Sequence, residues 1–200
     1  MFKEVTPLFP TPLYVAQDDD MPNVLDSLSD LERSPYGYAN GGERTDSTNI
    51  IDEIPQELSE WIYSHIKEYV YGVQGISTEH HIQIPNSWIN FMHKDDRAHP
   101  HDHCNSIYSG IVFLSAPTGS AELIFEKNKY KTIEPTIAEY NLYNSHIYRI
   151  TPQDGMICIF PSDLVHYVDV HTLDQPRISL AFNIFIRGEF GMHTKRLNLK

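Results

Sequence analysis

The chain has 200 residues, 40% hydrophobic and 12% aromatic, which suits one globular domain with a substantial core. Its 10 glycines and 13 prolines follow no period, so collagen-like and low-complexity chains are excluded. A net charge of −12 excludes a general binder of nucleic-acid backbones but not a small anion held by one or two local arginines.

Two cysteines, Cys104 and Cys158, are too few for a disulfide scaffold and are expected to be reduced. No signal peptide is visible and no run approaches the roughly 18 apolar residues of a membrane span, so a cytoplasmic protein is expected. Leu8–Ala16, with Pro10 and Pro12, reads as an edge strand. Asn23–Glu32 has apolar residues at helical spacing, and Ser34–Thr48 reads as a long loop, either a lid or disordered. Pro55–Val73 is the clearest helix, with Leu58, Trp61, Ile62, Ile66, Tyr69 and Val73 in one stripe and His65 on the surface.

From residue 80 the period changes to two. Expected strands are His80–Ile84, Ser87–His93, His101–Leu114, Ala121–Glu126, Asn144–Ile150, Gly155–Phe160, Tyr167–Val170 and Arg177–Arg187. Many strands with short turns predict a mainly β protein with N-terminal helices. Residues 1–80 would pack on a jelly-roll or cupin-like core over 81–190, within one domain spanning 1–200.

The densest chemistry lies in His99-Pro100-His101-Asp102-His103-Cys104. Histidines at i and i+2 on a strand share a face and can bind one metal together. Proline cannot donate to a ladder, so the strand is expected to begin after Pro100, favouring His101 and His103 over His99. His166, presented by the Pro161-Ser162 turn, is the candidate third ligand. Arg177 and Ser179 also lie i, i+2, and an inward guanidinium there needs an anion, most naturally a carboxylate.

Taken with Leu8-Phe9-Pro10-Thr11-Pro12-Leu13-Tyr14, Ser87-Trp88-Ile89-Asn90 and Arg177-Ile178-Ser179-Leu180-Ala181-Phe182-Asn183, these phrases resemble the iron(II)/2-oxoglutarate-dependent oxygenases. The match is to the small type common in phage and marine bacteria, and it is densest over 87–186. The resemblance implies a double-stranded β-helix that hydroxylates an unidentified substrate and releases succinate and CO2. Its cofactors would be Fe(II), held by His101, His103 and His166, and 2-oxoglutarate, with the distal carboxylate on Arg177 and Ser179. Asn90, Tyr108 and Asn183 are polar strand residues and candidates for the pocket wall.

One departure stands out: the wider family has His-X-Asp/Glu, whereas the third residue here is His103, unless a bulge brings Asp102 to the metal. Two alternatives remain open at this point. A cupin-like three-histidine enzyme without 2-oxoglutarate leaves Arg177 without a task. A non-catalytic jelly-roll binding module with structural zinc would need His99 or Cys104 as fourth ligand. The prime substrate is unspecified, with Ser34–Thr48 and Tyr130–Tyr148 as its expected rim, and a homodimer is the default assembly.

Overall fold

The computed structural model describes residues 3–36, 39–127, 133 and 135–199. Its strands are β1 (Tyr14–Gln17), β2 (Arg33–Pro35), β3 (Ala39–Asn40), β4 (Glu43–Thr45), β5 (His81–Met92), β6 (Arg97–His101) and β7 (Tyr108–Ser115). There follow β8 (Leu123–Glu126), β9 (Ile147–Ile150), β10 (Met156–Pro161), β11 (Val165–Val168), β12 (Arg177–Phe190) and β13 (Leu197–Leu199). One α-helix, α1 (Gln56–Lys67), continues as a π-helical turn over Glu68–Val73. Among the described residues no helix is long and apolar enough to cross a membrane.

The strands form two antiparallel sheets. The larger runs β1-β10-β7-β12-β5-β4-β2, with β13 on the far end of β12, and the smaller runs β3-β6-β11-β8-β9. Period-two alternation assigns the faces of the large sheet. Leu180, Phe182, Ile184 and Ile186 of β12 join Leu58, Ile62 and Ile66 of α1 in one core. Met92, Phe113, Cys158 and Phe160 meet Leu123, Phe125 and Val168 of the small sheet in a second core. The jelly roll is thus a helix on one side of the large sheet and the small sheet on the other. The Phe182 ring packs directly on the backbone of Gly110, where a Cβ would sit 2.2 Å from it.

Several elements differ from the sequence expectation, each for a physical reason. Asn23–Glu32 forms only a 3-10 turn, Leu25–Leu28. Its short polar side chains satisfy nearby backbone instead: Ser27 and Ser29 donate to the carbonyls of Val24 and Asp26, and Asn23 accepts from Leu25 N–H. Ser34–Thr48 is not one loop. β2 and β4 pair at the edge of the large sheet while β3 joins the small sheet, so this segment passes from one sheet to the other; residues 37 and 38 lie outside the described residues. His80–Ile84 and Ser87–His93 are one strand, β5. Pro85 lies in a bulge of β5, where Ile84 and Pro85 together stand against Ile184 of β12, so its missing N–H costs no ladder bond.

The expected strand His101–Leu114 is two strands in different sheets. Pro100 sits inside β6, beyond the two-residue reach of β3, and the chain turns at Asn105 with a left-handed φ of 59° before β7. His65 is half-buried, not on the surface: the Tyr14 hydroxyl bonds its Nδ1 at 2.8 Å and Glu68 at 2.9 Å, clamping β1 to α1. Val73 lies outside the helix stripe and is exposed.

Candidate metal centre

His101 and His166 face each other across the β6–β11 pair, directly in register. His166 therefore belongs to a strand and not to the turn expected for it. His103 lies past the end of β6, in the turn toward β7, so it does not reach the others by strand alternation. Its main-chain N–H bonds to the Ser162 carbonyl at 2.9 Å, which draws the turn back over the centre. Ring centroids stand 4.4 Å apart for His101–His166, 5.0 Å for His103–His166 and 5.2 Å for His101–His103. One ligand nitrogen from each ring lies within 4.8 Å of the other two.

The Nδ1 atoms identify the converging nitrogens. His101 Nδ1 bonds the His99 carbonyl at 2.8 Å and His166 Nδ1 bonds the Leu164 carbonyl at 3.0 Å. A carbonyl only accepts, so both rings carry the proton on Nδ1 and offer Nε2 as a free lone pair. His103 Nδ1 meets Asn183 Oδ1 at 2.5 Å and Ser109 Oγ at 2.9 Å. Burial pushes the pKa of His103 down and that of His166 down to about 3, with His101 adding to the effect at both. Both rings are accordingly neutral, as metal ligation requires.

Asp102 is exposed and stands outside this group, as does exposed Cys104. His99 contributes its carbonyl, while its side chain lines a surface groove beside Tyr167 and Asp169. Among the described residues the cluster has three ligands, so the fourth protein ligand of a closed structural zinc site is missing.

The cavity beside the histidines is walled by one face of β5 and β12. Trp88, Asn90 and Met92 pair with Ala181, Ser179 and Arg177 in register, all lining the cavity. Arg177 is 1% exposed. Its guanidinium lies 4.8 Å from the centroid of Phe113, and one nitrogen reaches Ser179 Oγ and Met92 Sδ, both at 3.4 Å. Among the described residues Nε and the other terminal nitrogen have no hydrogen-bond partner. Burial lowers the Arg177 pKa to about 10, which leaves it cationic at neutral pH. Its neighbour Cys158, pushed by burial up to about 12, stays a neutral thiol and supplies no counter-charge. A fully buried cation without an anion is costly, so the cavity is built to receive one.

Two sequence candidates are placed differently from expectation. Tyr108 points to the helix side, edge-on to Tyr69 at 5.1 Å, and does not line the cavity. Asn183 shares the sheet face of Ala181 but stands behind His103 and does not line the cavity. Trp88 and Met92 line the cavity without a role having been expected of them, and Tyr36, Gly41, Gly42 and Glu43 line it from the expected rim segment Ser34–Thr48. Ser109, Ser162 and Asn86, which surround His103 and Asn183, were missed as well. Their signal was faint: polar residues inside or beside apolar strands. Of the other expected rim, Tyr143 and Tyr148 are exposed, and Tyr130 lies outside the described residues.

The family described as "Putative 2OG-Fe(II) oxygenase" matches residues 86–183. No protein of curated function matches the chain. Among solved structures, the non-haem α-ketoglutarate-dependent epimerase SnoN from nogalamycin biosynthesis superposes with a TM-score of 0.62 at 10% identity, over 88% of this chain and 78% of its own. HygX from Streptomyces hygroscopicus, solved with nickel, 2-oxoglutarate and hygromycin B, gives 0.58 at 12% identity, over 87% and 82%. An oxidoreductase of the 2OG-Fe(II) oxygenase family from Burkholderia pseudomallei gives 0.55 at 15% identity, over 80% and 76%. At these identities the likeness concerns the fold, a double-stranded β-helix, and a phage association finds no support among these proteins. Residues 86–183, the segment that carries the three histidines and Arg177, thus match the iron(II)/2-oxoglutarate oxygenase family.

Proposed function

We propose that the protein is an iron(II)- and 2-oxoglutarate-dependent oxygenase that hydroxylates its substrate and releases succinate and CO2. The observation that carries this reading is Arg177, buried, cationic and short of two hydrogen-bond acceptors, on the wall of the cavity that holds three convergent imidazoles. The donor set fits the metal: His101, His103 and His166 would hold iron(II) through Nε2, since imidazole suits iron and no fourth protein ligand closes the site. Three neutral ligands leave the full +2 charge, which a dianionic co-substrate offsets.

Arg177 and Ser179 would take the distal carboxylate of 2-oxoglutarate, a planar group matched to a guanidinium fork. Asn90, whose Oδ1 is buried without a partner, would accept from a hydroxyl on a bound molecule. Bound together, iron(II) and 2-oxoglutarate supply oxygen activation coupled to decarboxylation of the co-substrate. The chain's own part is to orient and to exclude water: Trp88 stands 5.8 Å from the His103 ring, and Phe160 stands edge-on to His166 at 4.8 Å. A cupin-like enzyme without 2-oxoglutarate gives Arg177 no partner.

The test is an anaerobic titration of 2-oxoglutarate into iron(II)-loaded protein, following the visible charge-transfer band of the chelate. The expected result is a band that weakens sharply in Arg177→Ala. Iron binding with no band would sink the reading in favour of the cupin-like one. Hydroxylation itself is read from a product one oxygen atom heavier than the substrate.

A further inference from the structure

We propose that Asn183 is the positioning residue that makes His103 a metal ligand, by holding its ring in the Nδ1–H tautomer with Nε2 toward His101 and His166. The proposal rests on the iron reading above. It concerns the position at which the wider family carries a carboxylate.

His101 and His166 are held by main-chain carbonyls, which no side-chain substitution removes. His103 differs. It sits in a turn, and its ring is held by side chains alone. Asn183, on the central strand β12, is two residues beyond Ala181 and so on the same face of the sheet. Its amide is itself oriented: Nδ2 donates to Asn86 Oδ1 at 2.6 Å, which leaves Oδ1 as the atom facing His103.

Ser109 completes the arrangement. Its single hydroxyl proton goes to Asn183 Oδ1 at 2.8 Å, so toward His103 Nδ1 and toward Ser162 Oγ, at 2.9 and 2.8 Å, it accepts. The Ser109 hydroxyl and Asn183 Oδ1 are thereby fully committed in a buried setting, with Ser109 0%, Ser162 1% and Asn183 6% exposed.

The consequence is specific. Without Asn183 Oδ1, the Ser109 proton loses its acceptor and turns to the stronger of the two left, the His103 imidazole nitrogen in preference to the Ser162 hydroxyl. Donation there forces the His103 proton onto Nε2 and removes the lone pair that would face the metal. Ser109 therefore supports ligation when Asn183 is present and opposes it when Asn183 is absent.

The experiment uses two readouts on the full chain: imidazole 15N spectra of the metal-free protein, and cobalt(II) affinity by absorption titration. Asn183→Leu is expected to move the His103 proton to Nε2 and to weaken cobalt binding about 10–100-fold, the usual effect of losing a ligand's orienting partner. Adding Ser109→Ala to Asn183→Leu is expected to recover part of that affinity. Asn183→Asp, which keeps an acceptor on Nδ1–H, is expected to retain both the tautomer and the affinity. A His103 that keeps its proton on Nδ1 in Asn183→Leu overturns the proposal even where cobalt binding falls, because the loss is then one of packing. A double variant weaker than Asn183→Leu overturns it too. A wild-type protein that binds no cobalt overturns the iron reading, and this proposal with it.

Discussion

Arg177 shows how function and stability oppose each other at a single residue. The chain buries a guanidinium among Phe113, Met92 and the neutral thiol of Cys158, with two of its nitrogens unpartnered. Replacing buried charge with an apolar side chain of similar length is commonly neutral or stabilising by up to about 4 kcal/mol. Arg177→Met is therefore expected to raise the melting temperature of the metal-free protein. The same change should weaken 2-oxoglutarate binding at least about 30-fold, since truncating one partner of a buried charge pair costs about 2 kcal/mol or more. Melting curves and the chelate titration check the two halves separately. A variant less stable than wild type would mean that Arg177 already has an anionic partner in the free protein.

At the scale of elements, α1 is joined to the sheet by apolar packing on one face and by the Tyr14–His65–Glu68 contact on its flank. Burial lowers the His65 pKa below its ordinary 6.5, against the opposing pull of Glu68 and Asp18. The sign follows directly. The unfolded chain takes up the proton near 6.5 while the folded chain resists it, so stability is full above that pH and declines below it. Melting temperature is expected to fall on acidification from about pH 7.5 to about pH 5.5, and to fall less steeply in His65→Gln, which keeps a partner for Tyr14 but does not titrate. Equal slopes in the two proteins would show that His65 is solvated in the native state.

For the whole molecule, metal and co-substrate sites that form only on folding must couple to stability. At a ligand concentration of about 100 Kd the gain is about 2.7 kcal/mol, or roughly 5–10 °C for a domain of this size. Cobalt(II) is expected to raise the melting temperature, and 2-oxoglutarate to raise it further only when metal is present. His101→Ala should lose both increments, Arg177→Met only the second. A thermal-shift series on the three proteins distinguishes these patterns. An increment from 2-oxoglutarate without metal would indicate a second anion site.

How much of this could be read from residues alone follows from the range of the interactions involved. The period-two run Arg177-Ile178-Ser179-Leu180-Ala181-Phe182-Asn183 states its own two faces, because alternation is a property of one strand. Residue types likewise marked the candidates: three histidines, an arginine and a serine are few among the apolar strands that carry them. Their geometry was not local. His101 and His103 were expected to share a strand face, yet Pro100 is tolerated inside β6, the strand ends at His101, and His103 meets its neighbour from the turn that follows. His166 became a ligand candidate in space only through its register with His101, a pairing between segments 65 residues apart in the chain.

The same reasoning accounts for Tyr108 and Asn183. Which way a strand residue points depends on which sheet the strand joins and in what register, and a shift of one residue exchanges the faces. The strand containing Tyr108 begins in the large sheet after the turn, which sends the tyrosine toward α1 and Ser109 toward His103. Composition and periodicity thus pointed to a jelly roll bearing clustered histidines and a strand face with Arg177 and Ser179. The assembly of the two sheets then chose which three rings meet, and which amide holds the third in place, because those contacts join parts of the chain that no local pattern connects.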